Sequence, residues 1–150
     1  MKRTGITLRL LVVAGLATAA LTVTAAPASA HGCTPGFFKN HLGVWAQTPY
    51  TTSQKVNTVF TGIDNSTTAN TSLLDALSFP GGPGIDGAER ILLRAAVAGL
   101  LNSYFGFYSY SYAEFPGIVN FALAQTDRED ILFWATIIDD KNNLDSCPLG

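Results

Sequence analysis

The sequence predicts an all-α fold: a small single-domain helical bundle closed by one disulfide, with long loops rich in Gly, Thr and Asn. Apolar residues recur every three or four positions in several segments, as they do on amphipathic helices. Two cysteines stand near the two ends of the part of the chain that follows a predicted export leader. The 120 residues left of the 150 after a 30-residue leader suit one domain.

Residues 1–30 have the layout of a Sec signal peptide. A basic start, an apolar stretch and a small-residue cleavage motif follow one another: Lys2, Arg3 and Arg9, then residues 10–23, then Ala28-Ser29-Ala30. We expect cleavage after Ala30 and secretion of residues 31–150 as one helical domain. The apolar stretch is shorter than the about 20 residues that a bilayer span needs, so no membrane span is predicted.

Helix signals follow one another after the leader. The strongest covers residues 86–104, which are apolar on nearly every face and predict the central buried helix. The other helices begin at residues that cap or start helices. They are a helix from Thr34-Pro35 towards Trp45, two turns over 72–78, a helix from Pro116, and a last helix capped by Thr126 or Asp127.

Loop signals separate these helices. Residues 61–71 are rich in Thr, Asn, Asp and Gly and predict a loop. Residues 54–60 are ambiguous, because three apolar residues fit one helical face in a short polar segment. Residues 107–112 alternate tyrosine with Phe or Ser, which indicates a short strand-like or extended segment.

The two cysteines, Cys33 and Cys147, predict one disulfide, because an even pair in an exported chain is most simply a bridge. The alternative is a zinc site that combines both cysteines with His31 and His41. The irregular spacing and the export leader favour the disulfide.

The charge of the exported part argues against nucleic acid as a partner. Three of the nine basic residues belong to the leader, so residues 31–150 carry six basic and eleven acidic residues and a net charge of about −5. Such an acidic surface also disfavours binding to anionic membranes. We expect an extracellular protein or a polysaccharide as the partner.

Two local motifs resemble ligand-binding motifs, but each lacks features that its ligand requires. Residues 82–87 match G-x-G-x-x-G, but the preceding segment is helical in pattern, whereas a dinucleotide fold needs a buried strand there. Residues 139–145, "DDKNNLD", suggest calcium, yet lysine occupies the third position and the glycine and distal Glu of an EF-hand loop are missing. Calcium binding there is an alternative hypothesis.

Signals for catalysis are weak. No G-x-S-x-G motif occurs, and neither histidine has a serine or cysteine nucleophile nearby with a supporting acid. We therefore expect no catalysis and no cofactor.

The tyrosine run is the best binding candidate. Tyr108, Tyr110 and Tyr112 on one face of an extended segment would stack on sugar rings or anchor a protein partner, because each ring is apolar and each hydroxyl polar. The competing interpretation is an aromatic loop folded onto its own core.

A copper site is the sharpest alternative. Cleavage after Ala30 makes His31 the N-terminal residue, whose amine and imidazole would bind copper together with the imidazole of His41. The protein would then be a copper-binding protein or an oxidase. Such a site requires that His41 fold back to meet the terminus.

Three segments resemble a group of small secreted bacterial proteins that open with C-T-P-G, two aromatic residues and K-N-H. They are "GCTPGFFKNHLGVW" at 32–45, "FPGGPGIDGAERILLRAAVAGLLN" at 79–102 and "NNLDSCPLG" at 142–150. Phe38 stands where tryptophan is usual in the group, and residues 104–115 are more aromatic. The resemblance implies export, a Cys33–Cys147 bridge and a helical domain, but no activity.

The resemblance also bears on the histidines. His41 belongs to the shared K-N-H motif, whereas His31 does not. Lys39, Asn40 and His41 are therefore interpreted as a polar cluster that hydrogen-bonds the closing segment, and with Trp45 they form a candidate binding site.

Overall fold

A computed structural model describes residues 31–150, and the predicted signal peptide lies outside the described residues. The described residues form helices and contain no strand, with one isolated bridge between Lys55 and Ser72. The elements, in chain order, are α1 (Pro35–Asn40), α2 (Leu42–Trp45), a 3₁₀ turn (Val56–Thr58), α3 (Ser66–Ala69), α4 (Leu73–Ala76), α5 (Gly84–Tyr104), α6 (Phe115–Leu123) and α7 (Arg128–Asn142).

The central helix is α5, as its all-round apolar sequence predicts. It packs most extensively against α7 and also contacts α1, α4 and α6. Leu92, Leu93 and Leu100 are fully buried along it. Burial of such side chains, each worth about 1.5–3 kcal/mol, holds the short surrounding helices to α5.

Side-chain caps start α1, α4 and α7 where the sequence predicts helices. The Thr34 hydroxyl accepts from the Phe37 amide at the start of α1, and Ser72 caps α4 in the same way. Asp127 rather than Thr126 caps α7, since its carboxylate accepts from the Glu129 amide at 2.7 Å. These caps satisfy amides that the first helical turn leaves without partners.

The first predicted helix is divided in two. His41 lies between α1 and α2 with φ −117° and ψ 64°, outside the helical region. Its side chain stays close to α1, where Nδ1 lies 2.9 Å from the Phe37 carbonyl oxygen. The chain turns here, so Trp45 is carried back towards Phe38.

Two predictions about the loops are wrong. The loop predicted over 61–71 contains α3, because the Asn65 side chain accepts from the amides of Thr67 and Thr68 and starts a helical turn. The strand-like segment over 107–112 forms bends instead of a strand. Tyr108 points into the core while Tyr110 and Tyr112 are exposed, so the alternating tyrosines do not share one face as they would on a strand.

A disulfide joins Cys33 to Cys147, across 114 residues of sequence. It closes almost the whole described chain into one loop, and Cys33 is fully buried. The prediction of a bridge is confirmed. Both sulfur atoms are used in this bond, so they supply no thiolate to the alternative zinc site.

None of the helices that the structure describes is long and apolar enough to cross a membrane. The longest, α5, spans 21 residues. Its first half carries four charged residues: Asp86, Glu89, Arg90 and Arg94.

Candidate functional site

A buried polar network ties the N-terminal segment to α5 and α7. The Asn102 side chain accepts from the Cys33 amide and donates to the Cys33 carbonyl, both at 2.9 Å. It also donates to Asn142 Oδ1 at 2.8 Å. Asn142 Nδ2 donates in turn to the Ala95 carbonyl at 2.9 Å. Both asparagines are fully buried, so their hydrogen bonds hold the fold and present nothing to a ligand.

Tyr108 completes this network. Its hydroxyl lies 2.6 Å from Asn142 Oδ1 and 3.1 Å from the Ile138 carbonyl. Its side chain is 8 % exposed, and burial raises the pKa of the hydroxyl. A hydroxyl held in this way has a structural role, and it is not available to a partner.

The tyrosine run is therefore divided between three environments. Tyr108 lies in the core, whereas Tyr110 and Tyr112 are 45 % and 44 % exposed. Tyr112 packs edge-on against Tyr104, with ring centroids 5.3 Å apart. Tyr110 is exposed beside α6 and α7, over a small cavity whose inner wall includes Tyr108. The structure thus does not bring the three predicted binding residues onto one surface.

The most exposed aromatic side chains of the described residues lie on α6 and α7. Phe121 of α6 is 58 % exposed and Phe133 of α7 is 61 % exposed. Trp134 lies between them, because its ring is 5.7 Å from that of Phe121 and 6.0 Å from that of Phe133, both edge-on. We call Phe121, Trp134 and Phe133 the aromatic ridge.

The position of Phe133 on α7 explains its exposure. Successive helical residues are about 100° apart, so Phe133 lies on the side opposite Ile131, Ala135 and Ile138. Those three residues are buried against the core. Phe133 is thus an aromatic residue at the centre of the solvent-exposed side of its helix.

A small apolar cavity of about 40 Å³ adjoins the ridge. Tyr110 and Trp134 both line it, so the exposed part of the tyrosine run and the ridge border the same depression. Its other lining residues are Tyr108, Phe115, Ile118, Ile137, Ile138 and Lys141. The ridge and this cavity form one aromatic surface.

Asn40, His41 and Trp45 form hydrogen bonds with nearby residues of their own segment. Asn40 Nδ2 donates to the Gly36 carbonyl at 2.9 Å, and His41 bonds the Phe37 carbonyl, so both bonds stay inside α1 rather than reaching the closing segment. Lys39 is exposed. Trp45 is 3 % exposed and donates from Nε1 to the Phe38 carbonyl at 3.0 Å.

An open groove of about 460 Å³ lies beside Trp45. Leu42, which is 50 % exposed, is its most accessible apolar residue. The groove is lined by Leu42, Trp45, Ala46, Thr48, Tyr50, Thr51 and Thr52. Glycan binding, which the sequence offers as an alternative, stays a prediction.

The two histidines of the copper hypothesis contact different rings. His31 packs edge-on against Phe107 at 6.5 Å, and His41 stacks on Phe37 at 4.1 Å. Within residues 31–150, no three His, Cys, Asp or Glu side chains are grouped so that they could hold a metal ion. Copper binding by His31 and His41 stays a prediction.

The two weak motifs have structural explanations. The first four residues of the 139–145 motif belong to α7 instead of a loop, and Asn142 among them points into the core. At the glycine-rich motif a helix, α4, precedes α5, and a Cβ on Gly87 would collide with the Gly82 carbonyl. The glycine at position 87 therefore allows close backbone packing at the start of α5. Calcium binding at 139–145 stays a prediction.

Glu89 is a buried acid that sequence reasoning missed. It is 3 % exposed on α5, and its Oε2 atom is buried without a hydrogen-bond partner. Burial, followed by the nearby carboxylates of Asp86 and Asp64, raises the pKa of its carboxyl. Its place in an apolar helix, three residues after Asp86, is the sequence signal that would have found it.

The fold and surface define a disulfide-closed helical domain that exposes an aromatic surface. Comparison with models of protein families, with curated proteins and with solved structures found no match to this chain. We therefore infer function from the geometry of the chain itself.

Proposed function

We propose that this protein is a secreted, non-catalytic interaction module that binds an extracellular or cell-surface partner through the aromatic ridge. The observation that carries the proposal is the exposure of Phe121 and Phe133, 58 % and 61 %, on either side of Trp134. The ridge and the adjoining cavity form one continuous apolar feature.

Folding does not account for the ridge. Phe121 and Phe133 gain little from burial, because more than half of each side chain is in water. Single exposed apolar residues are ordinary on protein surfaces, but adjacent exposed aromatic residues are typical of contact surfaces. Aromatic residues are also enriched among those that carry most of the binding energy at interfaces.

The buried polar groups support a non-catalytic role. Asn102, Asn142 and Tyr108, the most elaborate polar constellation of the described residues, are bonded to one another and to the backbone. The polar atoms of these three side chains are used in these bonds, so none of them is presented to a ligand at the ridge as an acid, a base or a nucleophile would be.

Export is the remaining part of the proposal. The leader over residues 1–30 and the Cys33–Cys147 disulfide support it, because disulfides form and persist in oxidising compartments outside the cytosol. An extracellular location puts the ridge in contact with cell-surface proteins and polysaccharides.

Capture from the surface of producing cells tests the proposal. Residues 31–150 are immobilised, and bound proteins and polysaccharides are compared between the parent chain, Phe121→Ser/Phe133→Ser, and Leu42→Ser. Leu42 is the matched control, because it is 50 % exposed but lies on α2 beside the other groove. Melting temperatures are measured for all three chains.

We expect the parent and Leu42→Ser to retain one ligand that the double variant loses, with unchanged melting temperature. Equal capture by all three chains would exclude the ridge as the contact surface. Loss with Leu42→Ser alone would move the contact to the groove beside Trp45.

A further inference from the structure

We infer that the aromatic surface takes a positively charged amphipathic peptide segment, in which Lys or Arg residues flank apolar side chains, presented by a protein partner. This inference rests on the proposed function, because it names the chemistry of the ligand for the same surface. The charges around the ridge and the size of the adjoining cavity support this inference.

Acidic residues border Phe133 along the exposed side of α7. At about 100° per residue, Glu129 and Asp140 lie within about 40° of Phe133, one on each side of it along the helix. Asp130 lies about 60° away. The helical rise places Glu129 about 6 Å and Asp140 about 10 Å along the axis from Phe133. All three acids are exposed, so an apolar centre is flanked by negative charge at both ends.

Few positive charges oppose these acids. Arg128 reaches Glu129 at 3.6 Å, but the Glu129 side chain is 75 % exposed, so this ion pair is screened by water. Lys141 lies at the edge of the cavity. The residues of α6, Phe115–Leu123, include no charged side chain. The rim of the ridge is therefore net negative and complements a cationic ligand.

The cavity beside the ridge determines which side chain the ligand presents between its positive charges. Its volume of about 40 Å³ is that of a small apolar group, and its walls are mostly aromatic and aliphatic side chains. An apolar side chain at the centre of a peptide would fill it while the backbone crosses the ridge, as anchor residues do at protein interfaces. A neutral polysaccharide has no counterpart for the acidic rim, so the observations favour a peptide.

Selection from a random peptide library tests the inference directly. Displayed 12-residue peptides are selected on the intact chain over residues 31–150, and binders of Phe121→Ser/Phe133→Ser are removed. The enriched peptides are sequenced, and one is synthesised for titration. We expect enrichment of Lys or Arg on both sides of a branched aliphatic residue, whose methyl groups match the small cavity.

The charge of the rim is tested with the synthetic peptide. Glu129→Gln/Asp140→Asn should raise its dissociation constant about 3- to 10-fold, since each exposed ion pair contributes a fraction of a kcal/mol to about 1 kcal/mol. The control Asp75→Asn/Asp145→Asn removes the same charge from exposed positions outside α7 and should leave the constant unchanged. Added salt should weaken binding to the parent more than to the rim variant.

The outcomes separate the two proposals. Enriched peptides that need Phe121 and Phe133 but are neutral or acidic, or that bind the rim variant equally well, would overturn the cationic inference and leave the proposed function standing. If no peptide distinguishes the parent from Phe121→Ser/Phe133→Ser, the ridge is not a binding surface and both proposals fail.

Discussion

Asn102 on α5 and Asn142 on α7 are joined by a hydrogen bond of 2.8 Å in the fully buried interior. The same Asn102 side chain bonds both backbone groups of Cys33, next to the disulfide. Two amides 40 residues apart thus fix α5, α7 and the start of the described chain to one another. Gly32 permits this approach, because a Cβ there would collide with the Lys141 carbonyl.

Replacing Asn142 with Leu should lower the free energy of unfolding by about 2–4 kcal/mol. The change removes the buried hydrogen bonds that Asn142 makes with the Asn102 amide, the Ala95 carbonyl and the Tyr108 hydroxyl, and a buried polar group that loses its partner costs about 1–3 kcal/mol. Urea denaturation followed by circular dichroism measures the loss. Asn143→Ala is the control, because Asn143 is exposed and should change stability by less than about 1 kcal/mol. Equal stability of Asn142→Leu and the parent would show that the network does not hold the fold.

Tyr108→Phe and Tyr110→Phe should behave differently. The Tyr108 hydroxyl bonds Asn142 and the Ile138 carbonyl in the core, so its removal should cost about 0.5–1.5 kcal/mol. Tyr110 is 45 % exposed, and loss of its hydroxyl should leave stability unchanged. Thermal denaturation of both variants makes the comparison. Similar melting temperatures would contradict the division of the tyrosine run.

Removal of the disulfide should destabilise the chain strongly. Cys33→Ser/Cys147→Ser opens a loop of 114 residues, whose closure removes roughly 4–5 kcal/mol of unfolded-chain entropy in the simplest model. Urea denaturation of the parent and the variant measures the difference. A midpoint that does not move would contradict the role of the bridge as the closure of the fold.

Glu89→Gln should stabilise the protein at neutral pH. The folded-state pKa of Glu89 is raised above its ordinary value of 4.5 by burial, then by Asp86 and Asp64. Glu89 therefore costs the folded state least while it is protonated, and its contribution to stability becomes more unfavourable as the pH rises from 4.5 through the raised pKa. Glutamine does not ionise, so the stability advantage of Glu89→Gln should be absent below about pH 4 and should grow towards neutral pH.

Glu114→Gln should change the stability at neutral pH in the opposite direction to Glu89→Gln. Hydrogen bonds from the Ser111 hydroxyl and amide lower the pKa of the Glu114 carboxyl. Ionised Glu114 therefore favours the folded state above its lowered pKa, and Glu114→Gln should be less stable than the parent at neutral pH. Urea midpoints measured from about pH 3 to about pH 8 test both variants. Parallel pH profiles for the parent and Glu89→Gln would contradict the buried position of this acid.

Local sequence patterns predict the helices and the disulfide well. Residues 86–104 predict a central helix because an all-round apolar surface has to be buried, and α5 covers Gly84–Tyr104. Thr126 or Asp127 predicts the start of α7, since capping depends on neighbours in sequence, and Asp127 is the cap. The loop prediction for 61–71 is wrong because a single Asn cap at position 65 suffices for the one turn of α3.

The candidate surface depends on contacts that sequence patterns do not contain. The sequence alone does not distinguish an apolar residue that packs in the core from one that contacts a partner. The pattern therefore groups Phe121 with the other apolar residues of its helix. Trp134 of α7 is half-buried and lies between two exposed rings. Only the packing of α6 against α7 brings Phe121 to Trp134. The partners of Tyr108 lie 30 and 34 residues away in sequence, beyond any local periodicity.

The affinity of the captured ligand for the parent and for Phe121→Ser/Phe133→Ser tests the central claim most directly. Isothermal titration should give a dissociation constant at least about tenfold higher for the double variant, because loss of one aromatic anchor costs more than about 1.4 kcal/mol. The melting temperatures of the two chains should agree. Equal dissociation constants, or a double variant that unfolds at a much lower temperature, would contradict the claim that the ridge is an interaction surface separate from the core.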